Sequence, residues 1–179
     1  MIEPEKIAEA AKMMEDENWA FRIYLKTHAD PDELDKQFRR LHEELFSKYD
    51  CNACRNCCKQ FFITFYEEDL SRCAGHLGMD PEEFKTKYFV LNPAGTYETK
   101  HKPCDFLQED GSCLLGDSKP EDCADFPFTN RPDRIGSLIG IVENISVCPV
   151  LFEIMEQLKK EYHFVYRPGK RMRARDFRR

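Results

Sequence analysis

Cys51-Asn-Ala-Cys54-Arg-Asn-Cys57-Cys58 is the stretch that decides the fold, because it places four cysteines within eight residues. Thiolates two residues apart can converge on one metal centre, since the tight turns between them bring the sulfur atoms together. Structural zinc sites and iron–sulfur clusters both use this arrangement. We therefore expect this part of the chain to fold around metal rather than around an apolar core alone.

Five more cysteines follow the cysteine-rich stretch, for a total of nine in 179 residues. Cys73 falls on the apolar face of a predicted helix, where a free cysteine packs like a small hydrophobic residue. The other four lie in or beside irregular segments, where convergent ligands are expected. The predicted metal ligands are Cys51, Cys54, Cys57, Cys58, Cys104, Cys113, Cys123 and Cys148.

The rest of the sequence argues for a reducing compartment. The first ten residues have no basic start followed by an apolar run, so we expect no secretory signal. No uncharged apolar stretch reaches the roughly 18–20 residues that a membrane span needs. We therefore expect a cytoplasmic protein with no membrane partner. In the reducing cytoplasm, clustered cysteines indicate metal or redox chemistry rather than disulfides. An odd number of cysteines also fits a fully paired disulfide scaffold poorly.

The net charge of −6 is unevenly distributed. Residues 167–179 carry seven Lys or Arg against one Asp, a balance of +6, so the other residues carry −12. An acidic body argues against a nucleic-acid-binding core. The basic C-terminal tail could contact RNA or an acidic partner weakly, but a solvated chain end is the favoured interpretation.

Residues 4–48 show helical periodicity and contain no cysteine. Asp30-Pro31-Asp32-Glu33 is typical of a helix start, with Asp30 as the N-cap. The apolar residues after it recur at helical spacing, which predicts a buried face. Its residues are Leu34, Phe38, Leu41 and Leu45.

Later segments mix helix and strand signals, while residues 92–130 are rich in Gly, Pro, Asp and Ser and predict little regular structure. A long irregular loop in a compact domain needs something to hold it, and metal would do so. The predicted elements are a strand at 60–63, a helix opened by Thr64-Phe65-Tyr66-Glu67 and ended by Gly78, a helix from Asp80-Pro81, a strand at 135–142 and a helix after Cys148-Pro149.

Together these patterns predict an α+β fold, built as a small metal-stapled cysteine-cluster domain with short strands and long loops. We expect a helical N-terminal extension over residues 1–48 and the cysteine-cluster domain over residues 49–150. A C-terminal helix and the basic tail would occupy residues 151–179.

The chain resembles the YkgJ-like cysteine-cluster family, a family of zinc- or iron-chelating domains. The CxxCxxCC run is matched by Cys51, Cys54, Cys57 and Cys58, and the later elements follow in the family's order over roughly residues 49–150. Lys119 stands where the family usually has Arg, which puts in doubt any role tied to that Arg. The other matching elements are Cys104-Asp105-Phe106-Leu107, Cys113, Lys119-Pro120, Cys123, Phe126-Pro127 and Cys148-Pro149. The resemblance implies metal binding through these cysteines.

The identity of the metal and the grouping of its ligands stay open. Eight thiolates exceed the four that one zinc ion takes. Cys57 and Cys58 are adjacent, and in an extended chain their side chains would point to opposite sides and serve different metals. One grouping puts Cys51, Cys54, Cys57 and Cys148 on one centre and Cys58, Cys104, Cys113 and Cys123 on another. Zinc and iron–sulfur both suit sulfur ligands, and the ferredoxin-like spacing with a remote Cys-Pro slightly favours an iron–sulfur cluster.

Three functions are compatible with the pattern. The first is a metal-binding protein that is structural or chelating, or that presents its helical N-terminal region to a protein partner. The second is an iron–sulfur redox protein, or a component of an enzyme such as a protein-modifying or oxidoreductase system. The third, a thiol–disulfide catalyst, lacks the thioredoxin-like context. No hydrolase or nucleotide-binding motif occurs, so whether the chain is an enzyme, and any catalytic residue, are unknown. His101 could act as a substitute ligand.

Overall fold

The computed structural model describes residues 1–168, and the chain divides into two compact units. The first unit comprises Met1–Tyr49 and the chain from Pro127 onward, and the second is Asp50–Phe126. The α+β class is confirmed, since a small antiparallel sheet accompanies many helices. The three segments drawn from the sequence, 1–48, 49–150 and 151–179, stay a prediction. Most of the basic C-terminal tail, from residue 169 onward, lies outside the described residues.

Over residues 1–168, the first unit contains five α-helices. They are α1 (Ile7–Met13), α2 (Glu15–His28), α3 (Pro31–Phe46), α9 (Arg134–Asn144) and α10 (Pro149–Glu161). Helix α3 packs against both α9 and α10, while α2 packs against α9. The predicted apolar face of α3 is confirmed, because Leu34, Phe38, Leu41 and Leu45 are all buried. The predicted start of α3 is also confirmed: the Asp30 carboxylate accepts a hydrogen bond from the Glu33 backbone N at 3.0 Å.

The prediction of a strand at residues 135–142 is wrong, because this segment is helix α9. Two glycines and several β-branched residues favour a strand locally, but Leu138, Ile141 and Val142 lie on one helical face and are buried. The missing side chain of Gly136 also leaves room for the Asp133 carboxylate, which accepts a hydrogen bond from the Gly136 N–H at 3.2 Å. Tertiary packing and this cap together outweigh the local strand propensity.

The start of α9 is also held by a carboxylate from another helix. Asp35 of α3 accepts hydrogen bonds from the backbone N–H groups of Asp133 and Arg134, both at 2.8 Å. Each group would otherwise be a free donor at a helix end. Asp35 therefore fixes the first turn of α9 against α3.

We expect Asp35→Ala to destabilise the protein by about 1–2 kcal/mol, because two backbone donors at the start of α9, that of Arg134 partly buried, lose their acceptor. Asp35→Asn keeps one acceptor oxygen and should lose less. Urea unfolding followed by circular dichroism measures both changes. An Asp35→Ala protein as stable as the wild type would contradict this role.

The second unit contains a three-stranded antiparallel sheet and five helices. The helices are α4 (Cys51–Cys54), α5 (Asn56–Gln60), α6 (Glu67–Leu77), α7 (Pro81–Tyr88) and α8 (Glu121–Asp125). The strands are β1 (Thr64–Phe65), β2 (Phe89–Leu91) and β3 (Tyr97–Thr99), with β3 in the centre. The register pairs Phe65 with Tyr97 and Phe89 with Thr99.

An aromatic core holds the second unit together. Phe65, Phe84, Phe89 and Phe106 are almost fully buried, and their ring centroids lie 4.6–6.2 Å apart. Such pairs add about 0.5–1.5 kcal/mol each beyond the area that they bury. Phe106 follows Cys104 by two residues, so the irregular loop is attached to this core beside a predicted ligand.

Two local predictions in the second unit need correction. Residues 60–63 form no strand, because Gln60 ends α5 and the first strand begins at Thr64. Helix α6 begins at Glu67 rather than directly after Thr64, and the Asp69 carboxylate accepts a hydrogen bond from the Tyr66 N–H. The predicted end at Gly78 is confirmed by its left-handed conformation, φ 65°. The predicted start after Asp80 is likewise confirmed for α7.

The prediction of little regular structure over residues 92–130 holds for residues 100–120, which contain only a short 3-10 turn at Gly116–Ser118. It is wrong on either side of this segment, where β3 and α8 form. The Leu107–Cys113 bridge closes a small hairpin in this segment. Within residues 1–168, no helix is both long enough and apolar enough to cross a membrane.

Candidate metal centre

The cysteine-rich stretch folds as two short helices joined by one left-handed residue. Asp50 begins α4, its carboxylate accepting a hydrogen bond from the Asn52 N–H at 2.8 Å. Arg55 then adopts φ 48° and ψ 25°, which ends α4 and starts α5 in a new direction. A non-glycine residue in this conformation is uncommon and persists only where surrounding contacts fix it. The four cysteines of this stretch therefore lie on two short helices, α4 and α5, that run in different directions.

Cys57 and Cys58 lie close together, with 4.0 Å between their sulfur atoms. The prediction that these two side chains point to opposite sides is wrong. That geometry requires an extended backbone, whereas both residues lie in helix α5. Two thiolates on one tetrahedral zinc, each about 2.3 Å from the ion, would be about 3.8 Å apart. The observed separation therefore permits both thiols to bind the same ion.

The loop cysteines are joined to α5 through the backbone. The Cys104 N–H donates a hydrogen bond to the Cys58 carbonyl oxygen at 2.8 Å. Cys113 lies opposite Leu107 in the small hairpin, and both Cys104 and Cys113 pack against the aromatic core while remaining partly exposed. Cys123 lies in α8 and is also partly exposed. These contacts hold distant parts of the second unit beside one another.

Arg55 supplies a second connection between the cysteine-rich stretch and the hairpin. Its side chain donates hydrogen bonds to the Gly111 carbonyl oxygen and to the Asn52 side-chain oxygen. Gly111 has φ 80°, and a Cβ added there would overlap the Asn52 carbonyl oxygen. Glycine is therefore required at position 111 both for its conformation and for its close approach to α4.

The thiols of the second unit influence one another electrostatically. Burial raises the pKa of Cys104 to about 11, and the nearby Cys58 and Cys113 add to the rise. Burial raises the pKa of Cys123 to about 12, with further contributions from Cys104, Cys58 and Cys113. These values express mainly the cost of burying a charged thiolate, and in part the repulsion between clustered thiolates when no cation is present.

The pKa of Cys58 is shifted in the opposite direction from those of Cys104 and Cys123. The pKa of Cys58 is lowered to about 6, mainly by the hydrogen bond with Cys57 and, against the effect of burial, also by the positive charges of Arg55 and Lys119. Lys119 thus provides positive charge near Cys58. At Cys51, burial raises the pKa, and Cys54 and Cys58 add to that rise. Cys58 therefore interacts with thiols from several segments.

A family model for the CxxCxxCC domain matches residues 50–149, more than half of the chain. The chain belongs to the CxxCxxCC family. The family is described as a "putative zinc- or iron-chelating domain". No curated protein and no solved structure is significantly similar to the chain.

The CxxCxxCC match includes all eight predicted ligands, but they are not assembled around one point. Among residues 1–168, no three Cys, His, Asp or Glu side chains form a group that could hold an ion in the present conformation. The donor set is nonetheless chemically suited to zinc or iron, because it is rich in soft thiols. Ligand sites of this kind commonly close only when metal displaces the thiol protons.

Three residues of this CxxCxxCC protein, Cys148, Cys73 and His101, lie in surroundings that differ from those of the other cysteines. Cys148 belongs to the first unit, where it precedes α10 and is 9% exposed. Cys73 is fully buried in the aromatic core, as its place on the apolar face predicts, and its thiol donates to the Ser118 carbonyl oxygen at 2.9 Å. His101 is exposed and lies 2.9 Å from the Asp105 carboxylate, which gives it a partner other than metal.

Sequence reasoning missed the supporting roles of Arg55 and Gly111. Asp110-Gly111 is recognisable as a turn, but the contact of that turn with Asn52 depends on tertiary structure. Nothing in the sequence marks Arg55 as left-handed, because arginine has no preference for that conformation.

Proposed function

We propose that this protein is a metal–thiolate protein that holds iron–sulfur or zinc through its eight predicted cysteine ligands. The observation that supports it most is that the pKa values of Cys104 and Cys123, raised mainly by burial, are raised further by nearby thiols, including Cys58 and Cys113. These four thiols come from three different segments of the second unit. A thiol whose ionisation is disfavoured by neighbouring thiols is one whose thiolate a shared cation would stabilise. Family membership over residues 50–149 supports the same chemistry.

These four thiols make up one of the two centres in the proposed grouping. They lie on α5, on the Cys104–Cys113 hairpin and on α8, so a shared metal would tie all three segments to one point. That role is consistent with the scarcity of regular structure between residues 100 and 120. The metal would be structural for the loop, whatever else it does.

Cys51, Cys54 and Cys57 belong to the other proposed centre, with Cys148 assigned to it on the sequence pattern alone. The 4.0 Å between the sulfur atoms of Cys57 and Cys58 would also allow the two centres to lie next to each other, or to share a ligand. The proposal includes a reducing cellular location such as the cytoplasm, because the thiols must stay reduced to bind metal.

A redox function is the second candidate, and the ferredoxin-like cysteine spacing favours it. An iron–sulfur cluster held by these residues would accept an electron, whereas zinc would not. In that case the protein would act as an electron carrier or as a component of an oxidoreductase or protein-modifying system. If the bound metal is zinc, the protein would have a structural or chelating role, or would present its helical N-terminal region to a protein partner.

Elemental analysis together with a visible spectrum, on protein purified without oxygen, tests both candidates. We expect bound metal in either case, and visible absorption with iron and acid-labile sulfide if the ferredoxin-like spacing is decisive. A colourless protein with about one or two zinc ions per chain would favour the structural role. Protein that contains no metal, and takes up neither zinc nor iron with sulfide when reconstituted, would contradict the proposal.

A further inference from the structure

Helix α8, which carries the predicted ligand Cys123, is too short to be stable by itself. It runs from Glu121 to Asp125, and an isolated helix of five residues does not persist in water. Contacts from neighbouring elements therefore fix its position. Directly after the helix, the ring of Phe126 packs against that of Phe61, with 5.4 Å between the ring centroids. The start of α8 is held by hydrogen bonds instead.

Arg72 of α6 holds the two residues that precede Pro120 and α8. Its Nε–H donates a hydrogen bond to the Ser118 carbonyl oxygen, and its Nη2 donates one to the Lys119 carbonyl oxygen, both at 3.3 Å. Pro120 follows directly, is buried, and accepts a hydrogen bond from the Cys123 N–H at 3.0 Å. A continuous set of contacts therefore joins the Arg72 side chain to the backbone of Cys123.

The Arg72 side chain is itself fixed by Asp69. The Asp69 carboxylate lies in the first turn of α6 and accepts a hydrogen bond from Arg72 Nη2 at 2.6 Å and another from the Tyr66 N–H at 3.2 Å. A guanidinium is a rigid planar fork, which suits two neighbouring carbonyl oxygens better than a lysine ammonium does. The Arg72 side chain is 46% exposed, so its hydrogen bonds add little to the stability of the fold. This geometry suits a positioning role more than a stabilising one.

The segment that Arg72 holds also brings Lys119 near Cys58. The pKa of Cys58 is lowered mainly by the hydrogen bond with Cys57, and the positive charges of Arg55 and Lys119 also lower it, against the effect of burial. A group of thiolates carries excess negative charge, which a nearby ammonium partly offsets. The residues held by Arg72 therefore bring both a predicted ligand and a compensating charge to the same part of the second unit.

We propose that Arg72 is a positioning residue for the metal centre that the proposed function assigns to Cys123 and three other cysteines. It fixes the carbonyl groups of Ser118 and Lys119, and thereby the direction from which Cys123 reaches the other thiols. Without Arg72, metal binding would also have to order the segment before α8, and that loss of conformational entropy weakens binding. The inference rests on the proposed metal function and adds to it a residue that is not a ligand.

Cobalt(II) binding to the metal-free protein tests this role, because cobalt–thiolate absorption reports how many thiolates bind each ion. Arg72→Gln should weaken cobalt binding about 10- to 100-fold, the loss that is usual when a residue that orients a ligand is removed. Arg72→Lys keeps the charge but not the planar fork, so its affinity should lie between those of Arg72→Gln and the wild type. Arg39→Gln makes the same charge change at an exposed position of α3 and should bind cobalt like the wild type.

A double-mutant comparison separates positioning of Cys123 from general stabilisation of the fold. In a Cys123→Ser background, Arg72→Gln should cause no further loss of cobalt affinity, because the residue through which it acts is absent. In a Cys54→Ser background, which alters the other proposed centre, the loss should stay at about 10- to 100-fold. If Cys123→Ser binds cobalt too weakly to be measured, the absorption decides: Arg72→Gln should show less thiolate absorption per bound cobalt than the wild type.

Equal cobalt affinity of Arg72→Gln and the wild type would overturn the inference. The same loss of affinity in both cysteine backgrounds, or weaker binding with unchanged thiolate absorption, would also overturn it. In each of these results the wild type binds metal, so the proposed function survives. Wild-type protein that takes up neither cobalt nor iron with sulfide would contradict the proposed function and this inference with it. Protein that takes up iron with sulfide but not cobalt is compared by its iron content, with the same variants and the same expectations.

Discussion

Cys58→Ser should lose most of its bound metal, with affinity lowered by more than about a hundredfold. Even residues that only orient a metal ligand cost about 10–100-fold when removed, and a thiolate ligand should cost more. Cys58 should be the most sensitive position because its thiol interacts with those of Cys57, Cys51, Cys104 and Cys123. The measurement is metal per chain by elemental analysis, on variants purified in parallel without oxygen.

Cys73→Ser is the matched control for the Cys58 variant. It makes the same change of sulfur to oxygen, and the new hydroxyl can still donate to the Ser118 carbonyl oxygen. We expect the Cys73→Ser protein to keep its metal and to lose some stability, because a hydroxyl fits an apolar core less well than a thiol. If Cys73→Ser removed metal while Cys58→Ser did not, the predicted ligand set would be wrong.

The helix starts at Pro31 and Pro81 and the helix end at Gly78 could be predicted because each depends on residues adjacent in the chain. Capping and positive-φ rules act over a few residues and need no tertiary context. The same holds for the burial of Cys73, whose place on an apolar helical face is visible from spacing alone.

The failures at residues 60–63 and 135–142 have a different cause. Both segments are apolar and short enough to suit a strand, and periodicity alone cannot separate a buried strand from a buried helix. Helix α9 is decided by Asp35 and by the α2 and α3 faces that it packs against, all of which are distant in sequence. Strand β1 is decided by its pairing with β3, which moves it to Thr64–Phe65.

The candidate site shows the same division between local and distant effects. The choice of the eight cysteines as candidate ligands rests on spacing, because metal chemistry restricts the residue types that serve as ligands, and it stays a prediction. The position of α5 beside the Cys104–Cys113 hairpin could not be predicted from the sequence. It depends on the left-handed conformation of Arg55 and on the backbone hydrogen bond between Cys104 and Cys58. Arg55, which is not a predicted ligand, and a backbone hydrogen bond thus hold the cysteine-bearing segments together.

Gly111→Ala should therefore weaken the second unit strongly, although it changes no predicted ligand. An alanine at φ 80° is strained by about 1–3 kcal/mol, and its Cβ would also overlap the Asn52 carbonyl oxygen. To relieve that overlap, the hairpin must move away from α4, and this movement breaks the Arg55–Gly111 hydrogen bond. The free energy of unfolding should therefore fall by about 3 kcal/mol or more in total. We expect faster proteolysis within residues 100–120 and reduced metal content.

Gly95→Ala separates the two contributions to this effect. Gly95 has φ 82°, almost the same conformation, but among the residues that the structure describes no atom beyond Gly95 and its two chain neighbours lies within 4 Å of an added Cβ. The Gly95 variant should therefore show the backbone strain alone, about 1 kcal/mol, with metal retained. Equal losses of stability and of metal in the two variants would mean that the contact between Gly111 and Asn52 does not hold the hairpin to the cysteine-rich stretch. A larger loss at Gly111 would mean that this contact, and not glycine's conformational freedom alone, positions the ligand-bearing segments for metal.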